Sequence, residues 1–147
     1  TTKGKYAVTA LLDLSLNQSN RNFISVRQIA LRQDMPVPYL EQLFRNLRKA
    51  GIVEATRGPG GGFRLSRASS DISVSEVVSA VEDKMDATHC GGAIDCNSGR
   101  RCLAHDLWSE LNDQVDSFLV SKSLEDVITK KRILNKELRE ELIVARQ

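Results

Sequence analysis

Cys90, Cys96 and Cys102 are the only cysteines in this 147-residue chain, and His105 follows the last of them by three positions. The residues between consecutive donors number five, five and two. Thiolate sulfur is a soft ligand and imidazole a borderline one, so four such donors on one short stretch suit a transition metal. Three chemistries fit the residue types. Zinc takes four tetrahedral ligands and accepts a Cys₃His set, but the C-x₂-C knuckle common in zinc sites is missing. An iron–sulfur cluster also needs four protein ligands, and longer loops help the chain to enclose a larger object. Three free thiols, with or without redox chemistry, are the third reading. The spacing favours a cluster and leaves the other two open. His105 sits where a helix is expected to begin, so it and Cys102 can face one point. His89, beside Cys90, reads as a bystander.

The elements around this loop follow from apolar spacing. Residues 4–17 place Tyr6, Val8, Leu11, Leu12 and Leu14 at helical intervals. Ser25 with Gln28, Ser73 with Glu76, and Ser123 with Asp126 match the pattern of capping boxes, each opening a helix. The second helix buries Val26, Ile29 and Ala30. A turn at Asp34-Met35-Pro36-Val37 leads to a third helix with Pro38 in its first position, where a missing N–H costs nothing. That helix runs to about Gly51 and buries Leu40, Leu43, Phe44 and Leu47. Strands at 52–56 and 63–66 make a hairpin around Arg57-Gly58-Pro59-Gly60-Gly61-Gly62. A helix from Ser73 to about Asp83 carries Val74, Val77, Val78 and Val81 on one side. The cysteine loop covers roughly 86–102. A long helix at 103–120 then carries Leu103, Leu107, Leu111, Val115, Phe118 and Leu119 on one stripe, which reads as a dimer seam, with a core-facing stripe as the alternative. The charged tail from Lys130 to Gln147 is expected to fray.

Two short helices, a tight turn and a hairpin make a winged helix-turn-helix. The third helix is then the one that enters the major groove. Its polar face carries Tyr39, Glu41, Gln42, Arg45, Arg48 and Lys49. Arg45, Arg48 and Lys49 suit phosphates. Tyr39, Glu41 and Gln42 lie in the first turn, where base edges are reached. Phosphate repels glutamate, so Glu41 fits near DNA only as an acceptor from a base such as cytosine. At the wing, glycines such as Gly60 let backbone approach DNA closely, and Arg57 suits the negative minor groove. A solvated helix face and a plain flexible turn are the competing explanations. The loop lacks the GK[ST] ending of a nucleotide-binding loop and leads into a strand.

Charge agrees with this division. Residues 1–67 hold eleven Lys/Arg against four Asp/Glu, a net of +7, whereas residues 68–147 carry ten against fifteen, a net of −5. An anionic partner for the first part only is implied. With 41% hydrophobic residues the chain can pack a core. No apolar run is long enough to span a membrane. An odd cysteine count without a visible signal peptide points to a reducing cytoplasm. The chain opens on Thr1, so residues are expected to precede it. No general-base constellation accompanies the cysteines, and an enzyme is not expected.

These motifs resemble the Rrf family of winged-helix transcriptional regulators and, within it, the iron–sulfur cluster regulators. The resemblance runs from Lys3 to about Val127. It rests on Lys3-Gly4-Lys5-Tyr6-Ala7-Val8-Thr9-Ala10, Tyr39-Leu40-Glu41-Gln42-Leu43-Phe44, the wing Arg57 to Phe63, and Asp86-Ala87-Thr88. It implies a homodimer on palindromic promoter DNA that carries a 2Fe–2S cluster and controls cluster-assembly genes. Cys90, Cys96, Cys102 and His105 would be ligands, Tyr39, Glu41 and Gln42 base readers, and Arg57 the minor-groove contact. Cluster-assembly proteins become candidate partners. Pro38 departs from a serine typical of the family, and the tail after Thr129 is expected to lack a counterpart. A thiol- or nitric-oxide-responsive repressor, or a zinc-bound DNA-binding protein, is the alternative. The expected architecture is mostly α with a small β-hairpin. It comprises a winged helix-turn-helix at 1–83, a cluster loop at 84–102, and dimerisation and C-terminal helices at 103–147.

Overall fold

In the computed structural model, which describes residues 2–19, 22–82 and 103–146, three helices begin with the same reciprocal bonds. Ser25 Oγ accepts from the Gln28 amide at 3.2 Å while the Ser25 amide donates to Gln28 Oε1 at 2.9 Å. Ser73 with Glu76 and Ser123 with Asp126 repeat this. Each box satisfies two amides that a helix start would otherwise leave unpaired. The bonds from Ser123 also hold the Asp126 carboxyl below its ordinary pKa. The boxes open α2 (Val26–Gln33), α4 (Val74–Val81) and α6 (Leu124–Ala145); α1 spans Thr2–Asn17, α3 Val37–Lys49 and α5 His105–Ser121.

The turn between α2 and α3 places Asp34 in the left-handed region, with φ and ψ both 52°. Its short side chain tolerates this conformation. Helix α3 starts at Val37, so Pro38 stands second rather than first. Both are first-turn positions whose amides have no partner within the helix, and proline fits either. Leu40, Leu43, Phe44 and Leu47 pack the buried side of α3 against Ala7, Leu11 and Leu14 of α1 and Ile29 of α2. Each such side chain contributes about 1.5–3 kcal/mol on burial. Arg32 of α2 reaches the buried Asp13 of α1 through Nε at 2.9 Å and Nη2 at 2.6 Å, and Gln33 adds a bond at 2.8 Å.

Strands β1 (Val53–Thr56) and β2 (Gly62–Leu65) pair antiparallel, Val53 opposite Leu65 and Thr56 opposite Gly62. Each is displaced by one residue from its expected start. A third segment joins them at the base of the wing. The Ile24 amide donates to Phe63 O at 2.8 Å, and the Phe63 amide to Ile24 O at 2.7 Å. The Phe63 ring lies 4.8 Å from that of Phe44.

After α5 the chain is stitched to the start of α4. The Val74 amide donates to Lys122 O at 2.8 Å and the Leu124 amide to Ile72 O at 3.0 Å. Leu124 is therefore buried in the same core as α1 and α3. Two expectations are corrected here. Leu103 lies in the turn before α5 and is fully exposed, so it is not part of the helical stripe. The tail does not fray at Lys130, because α6 continues to Ala145. Leu134, Leu138 and Leu142 repeat every four residues along it, extending the stripe that Leu124 and Ile128 begin.

A Cβ at residue 62 would stand 2.4 Å from the Ile24 carbonyl carbon and oxygen. Gly62→Ala should therefore pry the wing from α2 and cost about 1–3 kcal/mol or more, as local backbone strain does. Urea denaturation checks this. A midpoint equal to that of the unaltered protein would show that the bridge relaxes without cost.

Candidate nucleic-acid interface and metal centre

The α3 residues Glu41, Gln42, Arg45, Arg48 and Lys49 are all exposed. Their intervals of one, three, three and one put them on one face, opposite Leu40, Leu43, Phe44 and Leu47. Arg57 and Gly60 are exposed on the wing, where the Gly61 amide closes a tight turn on Gly58 O at 2.9 Å. Between α3 and the wing lies a cleft of about 430 Å³ lined by Ser25, Val26, Arg27, Glu41, Arg45, Gly62 and Phe63.

The charge of this first part is sorted by partner. Arg32 pairs with Asp13, Arg64 with Glu54 across the hairpin, and Arg67 with Glu76 at 3.4 Å. Arg64 also lies 4.6 Å over the Phe23 ring. Among the described residues, Arg27, Arg45, Arg48, Lys49 and Arg57 have no carboxylate partner. The unpaired cations thus include those around α3 and the wing, which are available to an anionic partner.

Tyr39 differs from the other sequence-selected residues of α3. It is half-buried, and its ring meets Tyr6 edge-on with centroids 5.4 Å apart. Sequence reasoning missed Arg27 altogether, because α2 was judged by its buried stripe. The signal was a basic residue two positions past the capping serine.

For the metal centre, His105 is the first residue of α5 and only 5% exposed. Cys90, Cys96 and Cys102 lie outside the described residues, as does His89. Among the described residues no three metal-binding side chains gather. A buried imidazole at a helix start, three residues after a thiol in sequence, fits the chemistry of a Cys₃His donor set.

The model of the Rrf2 family, iron-dependent transcriptional regulators, matches residues 1–130. The chain belongs to this family. The HTH-type transcriptional regulator IscR of Vibrio atlanticus is 44% identical over 145 residues, covering 99% of this chain and 83% of its own. IscR of Xenorhabdus nematophila is 47% identical, covering 92% and 82%. Among solved structures, T. potens IscR superposes with a TM-score of 0.71 at 30% identity, over 89% of this chain and 86% of that one. CymR, the global cysteine regulator of B. subtilis, superposes at 0.75 with 27% identity, over 88% and 95%. The fold is the winged helix of these regulators, and the protein is a transcriptional regulator, not an enzyme. The Vibrio match also corrects the expectation for the tail, since it spans nearly the whole chain. Among the described residues no helix is long and apolar enough to cross a membrane.

The Tyr6–Tyr39 contact separates two roles that one residue could hold. Tyr39→Phe keeps both rings and should leave stability within about 0.5 kcal/mol. Tyr39→Ala removes the ring pair and should lose about 0.5–1.5 kcal/mol beyond the burial term. Loss of DNA affinity in a fully stable Tyr39→Phe variant would locate the contact in the hydroxyl. Unchanged stability in Tyr39→Ala would contradict the packing role.

Proposed function

We propose that this chain is a cytoplasmic homodimeric regulator that binds promoter DNA and senses iron–sulfur cluster supply through a 2Fe–2S cluster. The observation that carries the DNA reading is the unpaired cationic face of α3 set beside the wing. Glu41, Gln42 and the Tyr39 hydroxyl read base edges, while Arg45, Arg48 and Lys49 meet phosphates. Arg57 enters the minor groove, and Gly60 lets the wing tip approach the backbone.

Cys90, Cys96, Cys102 and His105 hold the cluster. When bound, the cluster supplies an oxidisable, loss-prone centre whose occupancy reports its own supply. His105 contributes a neutral donor where a fourth thiolate would add negative charge. That choice favours a higher reduction potential than an all-thiolate site. The regulated genes are those of cluster assembly, and cluster-assembly proteins are the partners that load the site.

The dimer reading rests on α5. Leu107, Leu111 and Phe118 are 59%, 42% and 60% exposed, far more than isolated apolar side chains on a core-facing helix. The outward stripe is what a second copy of the helix would cover. Replacing Leu107 and Leu111 with lysine places charge in that seam, so the chain should sediment as a folded monomer or unfold. A well-folded dimer of the double variant would remove α5 from the interface.

The cluster reading is tested by anaerobic reconstitution with iron and sulfide. The unaltered protein should turn brown with visible absorption, whereas a colourless protein with stoichiometric zinc would refute it. His105→Ala should hold cluster poorly, and His105→Cys should hold it at a lower reduction potential. If His105→Ala matches the unaltered protein in spectrum, potential and cluster lifetime, His105 is not the fourth ligand.

A further inference from the structure

We propose that Arg27 and Arg45 hold one backbone phosphate of DNA between them, in the cleft where α2, α3 and the base of the wing meet. The inference rests on the DNA-binding reading above and adds a contact from α2, which that reading does not use. Both arginines line the same cleft, together with Glu41, Ser25, Gly62 and Phe63. Both are exposed, and among the described residues neither has a carboxylate partner. Glu41 stands one turn from Arg45 and shares the cleft, yet it forms no ion pair with either arginine. Two cations thus face one opening with an unpaired carboxylate beside them. An anion between the two guanidinium groups relieves their mutual repulsion. The guanidinium fork matches phosphate oxygens.

The geometry also fixes which anion. The cleft is lined by Glu41 and Arg45, which share the exposed face of α3 with Gln42 and Arg48. In a helix-turn-helix the first helix crosses the sugar–phosphate backbone as the second enters the groove. Arg27 on α2 is therefore placed for backbone, not for a base edge. The walls are held before any ligand arrives. The Ser25 capping box fixes the start of α2, and the Ile24–Phe63 bridge fixes the wing against it. The two guanidinium groups that line the cleft with Glu41 also offset the repulsion its carboxylate would otherwise meet from the DNA backbone. That lets its carboxylate reach a base donor without an unbalanced charge at the groove edge.

The test uses the full-length protein and two duplexes: one recovered by in vitro selection, the other a scramble of the same composition. Affinity is measured across a salt series. For Arg27→Gln the slope of log K against log salt should flatten by about 0.9 for each bound copy, the contribution of one phosphate contact. Affinity should fall by the same factor on both duplexes, because a phosphate carries no sequence information. Arg27→Lys keeps the charge and should keep the slope. A scan of the selected duplex with single neutral methylphosphonates should find a position that weakens the unaltered protein but not Arg27→Gln. An unchanged slope in Arg27→Gln, or a loss confined to the selected duplex, would overturn the inference while leaving the DNA-binding reading intact. If the unaltered protein binds neither duplex, the reading beneath the inference fails and the inference falls with it.

Discussion

The position of the wing depends on one small contact, the pair of backbone hydrogen bonds between Ile24 and Phe63. It adds a third backbone-paired segment to a two-stranded ribbon, a unit that is marginal in water on its own. With it, the wing becomes an extension of the segment that leads into α2. The Phe63 ring then reaches Phe44 on the buried side of α3. The two surfaces proposed to face DNA, α3 and the wing, are thereby joined to one core. Gly62 is the residue that permits the contact, since any side chain there would occupy the Ile24 carbonyl.

Much of the fold was legible because it is encoded locally. The three capping boxes, the apolar period of α3 and the glycine-rich hairpin are short-range signals, and each appears where its spacing places it. What the sequence hid is long-range. The wing glycines read as room for DNA, yet Gly62 serves an internal close approach that no neighbouring residue announces. The Asp13–Arg32 pair joins residues nineteen apart. Asp13 sits among apolar positions of α1, and nothing in its local spacing announces a partner. The end of α6 was misjudged because a high charge density was taken for weak helicity. Glu, Lys, Arg and Leu are strong helix formers, and they hold the helix to Ala145.

For the candidate DNA face, the sequence shows which residues are cationic and not which are available. The excess of cations in the first part of the chain was real, but its magnitude overstated what DNA would meet. Arg32, Arg64 and Arg67 are neutralised within the fold. Sequence alone cannot tell a paired arginine from an available one, because pairing depends on which carboxylates the fold brings near. Arg27 is the converse case. It carried no weight in the sequence and acquires it from the cleft it lines.

His105 brings the two parts of the molecule together. It is the one buried side chain of α5, at the first residue of that helix, where it would offer a donor to the proposed centre. The other end of α5 is fixed by the backbone bonds that join Lys122 and Leu124 to Val74 and Ile72. Helix α4, on which α5 rests, packs in turn against α1 and α3. The far anchor is backbone and belongs to the core of the winged domain. At the near end, the buried side chain is the His105 imidazole. Under the proposed ligation, His105 would belong both to the centre and to the first turn of α5. Because α4 also contacts α3, only two packed interfaces lie between α5, which begins at the proposed ligand His105, and the helix proposed to enter the groove.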